Sequence, residues 1–234
     1  MDRSLCTNKV TQANALVSAH YALSLRAKRL LVAALSQIDP FGKSWLKGEI
    51  DVTVTAQQWS ELFGTDINSS YRDLRAGAAD LYGRSVRLYG DHLDGKNIRW
   101  ISSEEYSQSE GRITITFVGR VLYHLSGMIE EFTSYDLLGV AGLRSAHSIR
   151  VYELAQQFKS TGWRKIDLVD LRSMLGLSDA YPKFADFRRR VLDHCCHEIT
   201  RKSDIDLSWE PVKRGRTVVA IVLRVSAKSQ IPLF

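Results

Sequence analysis

Residues 181–201, from Tyr181 to Arg201, run YPKFADFRRRVLDHCCHEITR. As a helix this stretch lines up Phe184, Phe187, Val191, Cys195 and Ile199 on one face, near i, i+3/i+4, i+7 spacing. Lys183, Asp186, Arg189, Arg190 and His197 fall away from that face. A helix with one packed stripe and a basic opposite side is suited to sit in a duplex groove. Pro182 fits the first turn, where its missing N–H costs nothing. The cations then lie in the N-terminal half, the end that a recognition helix points at base edges. The competing reading is a solvated basic face on a core helix, and the rest of the chain weighs between the two.

The 234 residues suffice for one large domain or two small ones, and 44% hydrophobic with 25% charged residues describes a globular chain. No apolar run approaches a membrane span and the N-terminal residues lack signal-peptide character, so a cytoplasmic protein is expected. Three cysteines, two of them adjacent, do not make a disulfide framework. Residues 131–234 hold 17 of the 32 basic and 12 of the 26 acidic side chains, which is +5 of the net +6. The positive excess therefore sits in the half that carries the basic helix, as a phosphate-facing half would have it.

Along the chain, Asn8–Ala19 reads as a short helix and Leu23–Ile38 as a stronger one, stopped at Asp39-Pro40. Ile50–Thr55 alternates as a strand and leads into a helix over Ala56–Phe63, closed by Gly64. Asn68 or Ser69 is expected to cap a helix over Ser70–Tyr82 with Tyr71, Leu74, Ala78 and Leu81 inward. Strands follow at Ser85–Tyr89, Ile98–Ser103 and Arg112–Val118, then a short helix at Arg120–Ser126. This order is that of a winged helix-turn-helix. The second half repeats it: a helix over Ser145–Phe158, a short strand at Ile166, a helix over Leu168–Leu175 closed by Gly176, the helix Pro182–Arg201, and strands Ile205–Val212 and Val218–Val225. Trp59, Phe63 and Gly64 match Leu171, Leu175 and Gly176 at an offset of about 112 positions, and Tyr71, Leu74 and Ala78 match Phe184, Phe187 and Val191 at about one more. The expectation is an α+β chain of two tandem winged-helix domains related by internal duplication. The first would span residues 8–130, the second 131–228, and a tail 229–234.

In the second copy, Arg189 and Arg190 suit bidentate contacts to guanine and Lys183 can donate there too. Asp186 can accept from cytosine or orient an arginine one turn away. Arg188, nearer the packed face, is expected to grip phosphate. The turn Lys213-Arg214-Gly215-Arg216 makes a basic wing tip for phosphate or the minor groove. The first copy offers Ser69, Ser70, Arg72 and Arg75, with Arg84 and Arg87 at the start of its wing. This thinner set suits backbone positioning more than base readout.

The segments NALVSAHYALSLRAKRLLVAALSQID, FTSYDLLGVAGL and HSIRVYELAQQFKSTG, with the FxxFRRRVL core at Phe184–Leu192, resemble the replication initiators of iteron plasmids, the RepA/RepE type. The likeness runs from about Asn14 to Val225. It implies a non-enzymatic initiator whose two winged-helix domains bind double-stranded origin repeats (iterons) and help open the adjacent DNA. It also implies recruitment of the host initiator DnaA and the helicase DnaB, and a monomer–dimer equilibrium whose dimers repress the protein's own gene at an inverted repeat. The first domain would supply the dimer interface and backbone contacts. The second would read the major groove through Lys183, Asp186, Arg189 and Arg190. Where the family pattern has a proline closing VLDP or VLEP, this chain reads Leu192-Asp193-His194-Cys195 without one. Loss of the proline is expected to let the helix continue more regularly, and it bears on whether His194 faces DNA.

Other chemistry is set aside. His194-Cys195-Cys196-His197 cannot converge on zinc, because adjacent helix residues splay by about 100°; Cys195 is expected in the core and His197 on the surface. No His-x-His pair with a downstream tyrosine, phosphate-cradling loop or nucleophile triad is present, so no catalytic residue, metal or cofactor is expected. The tail Gln230-Ile231-Pro232-Leu233-Phe234 resembles the bacterial sliding-clamp-binding pentapeptide, with Gln230, Leu233 and Phe234 as anchors. Packing of that pair on the protein's own surface remains the alternative. The competing function is a tandem winged-helix repressor without origin activity; a nicking enzyme is the third class.

Overall fold

The computed structural model describes residues 4–39, 48–88, 96–119, 121 and 131–228. It divides into two compact units. The first holds the chain through Ala19 and Leu23–Ala141; the second begins at Gly142 and includes His20–Ala22.

In the first unit, β1 (Lys9–Ala13) leads into the single turn α1 (Asn14–Val17) and then α2 (Leu25–Leu35). The helix expected over Asn8–Ala19 is therefore a five-residue strand followed by a single helical turn. Its reason lies far along the chain: β1 pairs antiparallel with β7 (Phe132–Asp136), Val10 opposite Tyr135, a partner that local periodicity does not reveal. This pairing also carries the unit past residue 130, through α5 (Leu138–Ala141). Ser24 caps α2 by accepting from the Ala27 N–H. After β2 (Glu49–Thr55) comes α3 (Ala56–Phe63), opened by a reciprocal capping box between Thr55 and Gln58. Gly64 closes it at φ +64°, a conformation that a residue with a Cβ adopts only under strain.

The helix α4 (Ile67–Gly83) starts earlier than its sequence suggested, because Asp66 is the cap and accepts from the Ser69 N–H at 2.9 Å. Leu74, Ala78 and Leu81 are fully buried, with Tyr71 only partly so. β3 (Ser85–Leu88) pairs with β4 (Lys96–Arg99), while β5 (Ile101–Ser107) and β6 (Arg112–Val118) join β2 in the order β2-β6-β5. Trp59, Trp100 and Phe117 lie in the core.

In the second unit, α6 (Ala146–Gln156) is capped by Ser145. β8 (Trp163–Asp167) precedes α7 (Leu168–Met174), and Gly176 follows at φ +66°. The next rod is continuous but not uniform: α8 (Phe184–Phe187), a π-helical turn (Arg188–Leu192) and α9 (Asp193–Lys202). β9 (Ile205–Arg214) and β10 (Thr217–Ala227) complete a sheet ordered β8-β10-β9. Phe187, Val191, Leu192, Cys195 and Ile199 pack inward. Behind them α6 buries an Arg150–Glu153 ion pair at 2.9 Å, and Arg150 lies 4.1 Å over the Tyr21 ring. Burial first, and Glu153 nearby, hold the Tyr21 phenol well above its ordinary range. At the far end of the rod, Asp204 accepts from Tyr152 at 2.6 Å and from Lys159 at 3.0 Å.

Candidate nucleic-acid interface

The helix-turn-helix of the second unit is α7 followed by the α8–π–α9 rod. Pro182 stands before Lys183, the residue that precedes the first helical position, and so lies two positions ahead of the turn assigned to it. No side chain caps this end. Without a proline after Asp193 the helix runs on through His194, but it is not uniform: the π turn closes with the Asp193 N–H donating to the Arg188 carbonyl. In an unbroken α-helix Arg188, four residues after Phe184 and three before Val191, would turn toward the packed face. The wider turn admits one extra residue. Val191 and Leu192 are both buried, and Arg188, Arg189 and Arg190 all face solvent.

Each arginine is steered rather than consumed. Arg189 meets Asp186 at 3.4 Å and remains 71% exposed; Arg188 meets Asp193 at 3.3 Å. Such pairs on the surface are screened and worth little, so a phosphate or base can replace them. Arg190 lies 5.9 Å over the Tyr181 ring. Lys183 is exposed beside them. The sequence reading missed Trp209, which donates from Nε1 to Asp193 at 3.0 Å and meets Phe184 edge-on. A lone Trp in a strand gave no signal for that.

The β9–β10 hairpin turns at Gly215, φ +61°, and leaves Lys213, Arg214 and Arg216 exposed at its tip. Lower on the hairpin Arg224 is bound to Glu210 through two contacts, at 2.8 and 3.0 Å. Cys195 and Cys196 are buried, and burial pushes both thiols up to about 12, so they stay protonated at neutral pH. His194 and His197 are exposed, His194 at 3.9 Å from Glu198. Among the described residues no three His, Cys, Asp or Glu side chains form a metal-binding group, and no helix is long and apolar enough to cross a membrane.

In the first unit the candidates separate. Ser70 is fully buried; its hydroxyl donates to the Asp66 carbonyl at 2.7 Å and meets the Thr65 hydroxyl at 2.7 Å. It holds the start of α4 and has no face for DNA, a correction forced by the helix beginning at Ile67. Ser69, half-buried, accepts from Arg72 at 2.9 Å. Arg72 and Arg75 are exposed, Arg75 lying 5.4 Å over Tyr106 above an open groove that Ala76, Ala79 and Glu104 help line. Arg84 pairs with Asp80, and Arg87 is exposed. The tail residues Gln230, Leu233 and Phe234, and most of the helix expected at Arg120–Ser126, lie outside the described residues.

Comparison with known proteins agrees with this arrangement. The model "Initiator Replication protein, WH1" matches residues 9–156 and "Initiator Rep protein, WH2" matches 167–225. A replication initiation protein of Escherichia coli is 23% identical over 96% of this chain and 71% of its own length. The PI protein of Escherichia coli is 26% identical over 90% of this chain and 80% of its own. The crystal structure of Pi initiator protein in complex with iteron DNA shares the fold, with a TM-score of 0.82 at 22% identity over 96% of this chain and 99% of that one. With both winged-helix models matched in tandem, the chain belongs to the initiator replication protein family.

Proposed function

We propose that this protein initiates plasmid replication by binding directly repeated origin sites in double-stranded DNA, the second winged helix reading sequence and the first holding the backbone. The carrying observation is the run Arg188-Arg189-Arg190, turned outward by the π turn from a rod whose opposite face is packed, in the same unit as the basic Lys213–Arg216 hairpin tip. A helix places bidentate donors at base edges, and a cationic hairpin grips the flanking phosphates or minor groove. The family and the iteron complex of the similar Pi initiator support the same reading.

Footprinting on the DNA flanking the protein's own gene tests it. Protection of direct repeats spaced by about two helical turns is the expected result; a lone palindrome would point instead to a repressor. Opening of adjacent DNA, engagement of DnaA and DnaB, a clamp contact through Gln230, Leu233 and Phe234, and autorepression by dimers are further steps of the same reading. Reconstituted origin melting and pull-downs with each purified host protein check them one by one, and failure removes that step alone.

A further inference from the structure

Between α7 and α8 the chain adopts a backbone that its residues would ordinarily avoid. Tyr181 sits at φ +54°, a region costly for a bulky residue and further restricted by the proline that follows. Such a conformation persists when its surroundings over-determine it. Here the surroundings centre on Arg172. From α7, its Nη1 donates to the Ala180 carbonyl at 2.6 Å and its Nη2 to the Tyr181 carbonyl at 2.8 Å. One planar fork thus closes on two successive carbonyls, a geometry that lysine cannot reproduce. The same guanidinium lies 4.3 Å over the ring of buried Phe187, inside the recognition rod. The Tyr181 ring held by this turn then lies under Arg190. Asp186 and Asp193 steer Arg189 and Arg188 with opposite charge; an aromatic face orients a cation without neutralising it.

We propose that Arg172 and Tyr181 are positioning residues for DNA recognition: Arg172 locks the strained turn, the turn seats the Tyr181 ring, and the ring presents Arg190 to the groove. The proposal rests on the reading that this rod enters the DNA.

The test titrates the full-length protein and its Arg172→Met, Tyr181→Gly, Tyr181→Phe and Arg190→Ala variants against two duplexes, the footprinted repeat and a scrambled version, with thermal unfolding in parallel. Tyr181→Phe keeps the ring and is expected to bind as wild type. Tyr181→Gly takes the positive φ without strain and is expected to melt no lower than wild type. It should nevertheless lose about three- to tenfold on the repeat and little on the scrambled duplex. Arg172→Met should lose affinity in the same direction. Adding Arg190→Ala to Tyr181→Gly should cost no more than Arg190→Ala alone, since both act through one cation. Wild-type affinity of Tyr181→Gly for the repeat, or full additivity with Arg190→Ala, overturns the proposal whatever Arg172→Met does to folding. If wild type does not distinguish repeat from scrambled DNA, the groove reading itself fails, and the proposal with it.

Discussion

The second helices of the two helix-turn-helix pairs occupy matching places and are built differently. In the first unit α4 is a regular helix whose start is fully fastened: Asp66 caps it, Ser70 is turned inward, and Ser69 is engaged by Arg72. Its contact with α2 is close. A Cβ on Gly77 would come within 2.9 Å of the Arg26 carbonyl, and Arg26 binds Asp73 at 2.6 Å. In the second unit the rod has no side-chain cap, begins after a strained Tyr181 and carries a π turn under its three arginines. Local regularity was kept where a helix serves as a strut. It is given up where three arginines point outward from a packed face, and such departures from regularity cluster at functional sites.

That contrast requires the second unit to be held together from behind, and its support is polar. Arg150 and Glu153 form a buried pair with side chains 4% and 0% exposed. Removing one member leaves an uncompensated charge in the core, so Glu153→Ala is expected to cost about 3–5 kcal/mol. Hydrogen exchange should show protection lost from α6, α9 and β10 while α2 and α4 keep theirs. Loss spread evenly over both units would mean that they unfold as one, and the division between strut and reader would lose its energetic basis.

The next effect separates the two helices by what they read. Arg189→Ala is expected to cost about 1–3 kcal/mol on the cognate repeat and much less on random DNA. Arg72→Ala on α4 should weaken both duplexes alike and lower the salt dependence of binding by about one counterion. Equal losses from Arg189→Ala on both duplexes would demote that residue to a phosphate contact. A sequence-selective loss from Arg72→Ala would promote α4 to a reader. Titrations at two salt concentrations decide both.

Much of this arrangement can be read from residue spacing. The apolar stripe from Phe187 to Ile199, the helix stops at Gly64 and Gly176, and the basic hairpin at Gly215 are set by local periodicity and by backbone freedom at single residues. What escaped depends on partners distant in sequence or on local energies near balance. β1 is a strand because β7 lies beside it, about 120 positions on. Ser70 turns inward because capping by Asp66 starts the helix three residues early. The π turn adds one residue to a helix whose composition looks ordinary, and Arg172 and Trp209 act through carbonyls and a carboxylate in neighbouring elements. The exposed arginines and the Asp186 carboxylate beside Arg189 could be read from sequence; the contacts of Arg172 and Trp209 could not.

The smallest effect probes the cap itself. Hydrogen bonds from the Ser69 side chain and N–H, in that order, hold the Asp66 carboxyl below its ordinary range against a minor opposing cost of burial. A carboxylate more acidic in the folded state stabilises the fold above its unfolded pKa, and that stability is lost as the pH falls through the folded value. Asp66→Ala should therefore lower the melting temperature of the first unit at pH 7, and the gap from wild type should close in acid. Asp66→Asn keeps an oxygen for the Ser69 N–H and lacks the charge, so it should lie between the two at pH 7 and change little with pH. Neither variant should alter discrimination between repeat and scrambled DNA, because α4 would still stand where α2 and the β2-β6-β5 sheet pack it. A pH-independent gap for Asp66→Ala would show that the cap works as a neutral acceptor only. A change in discrimination would show that the start of α4 reads sequence after all, and the contrast between the two helices would have to be redrawn.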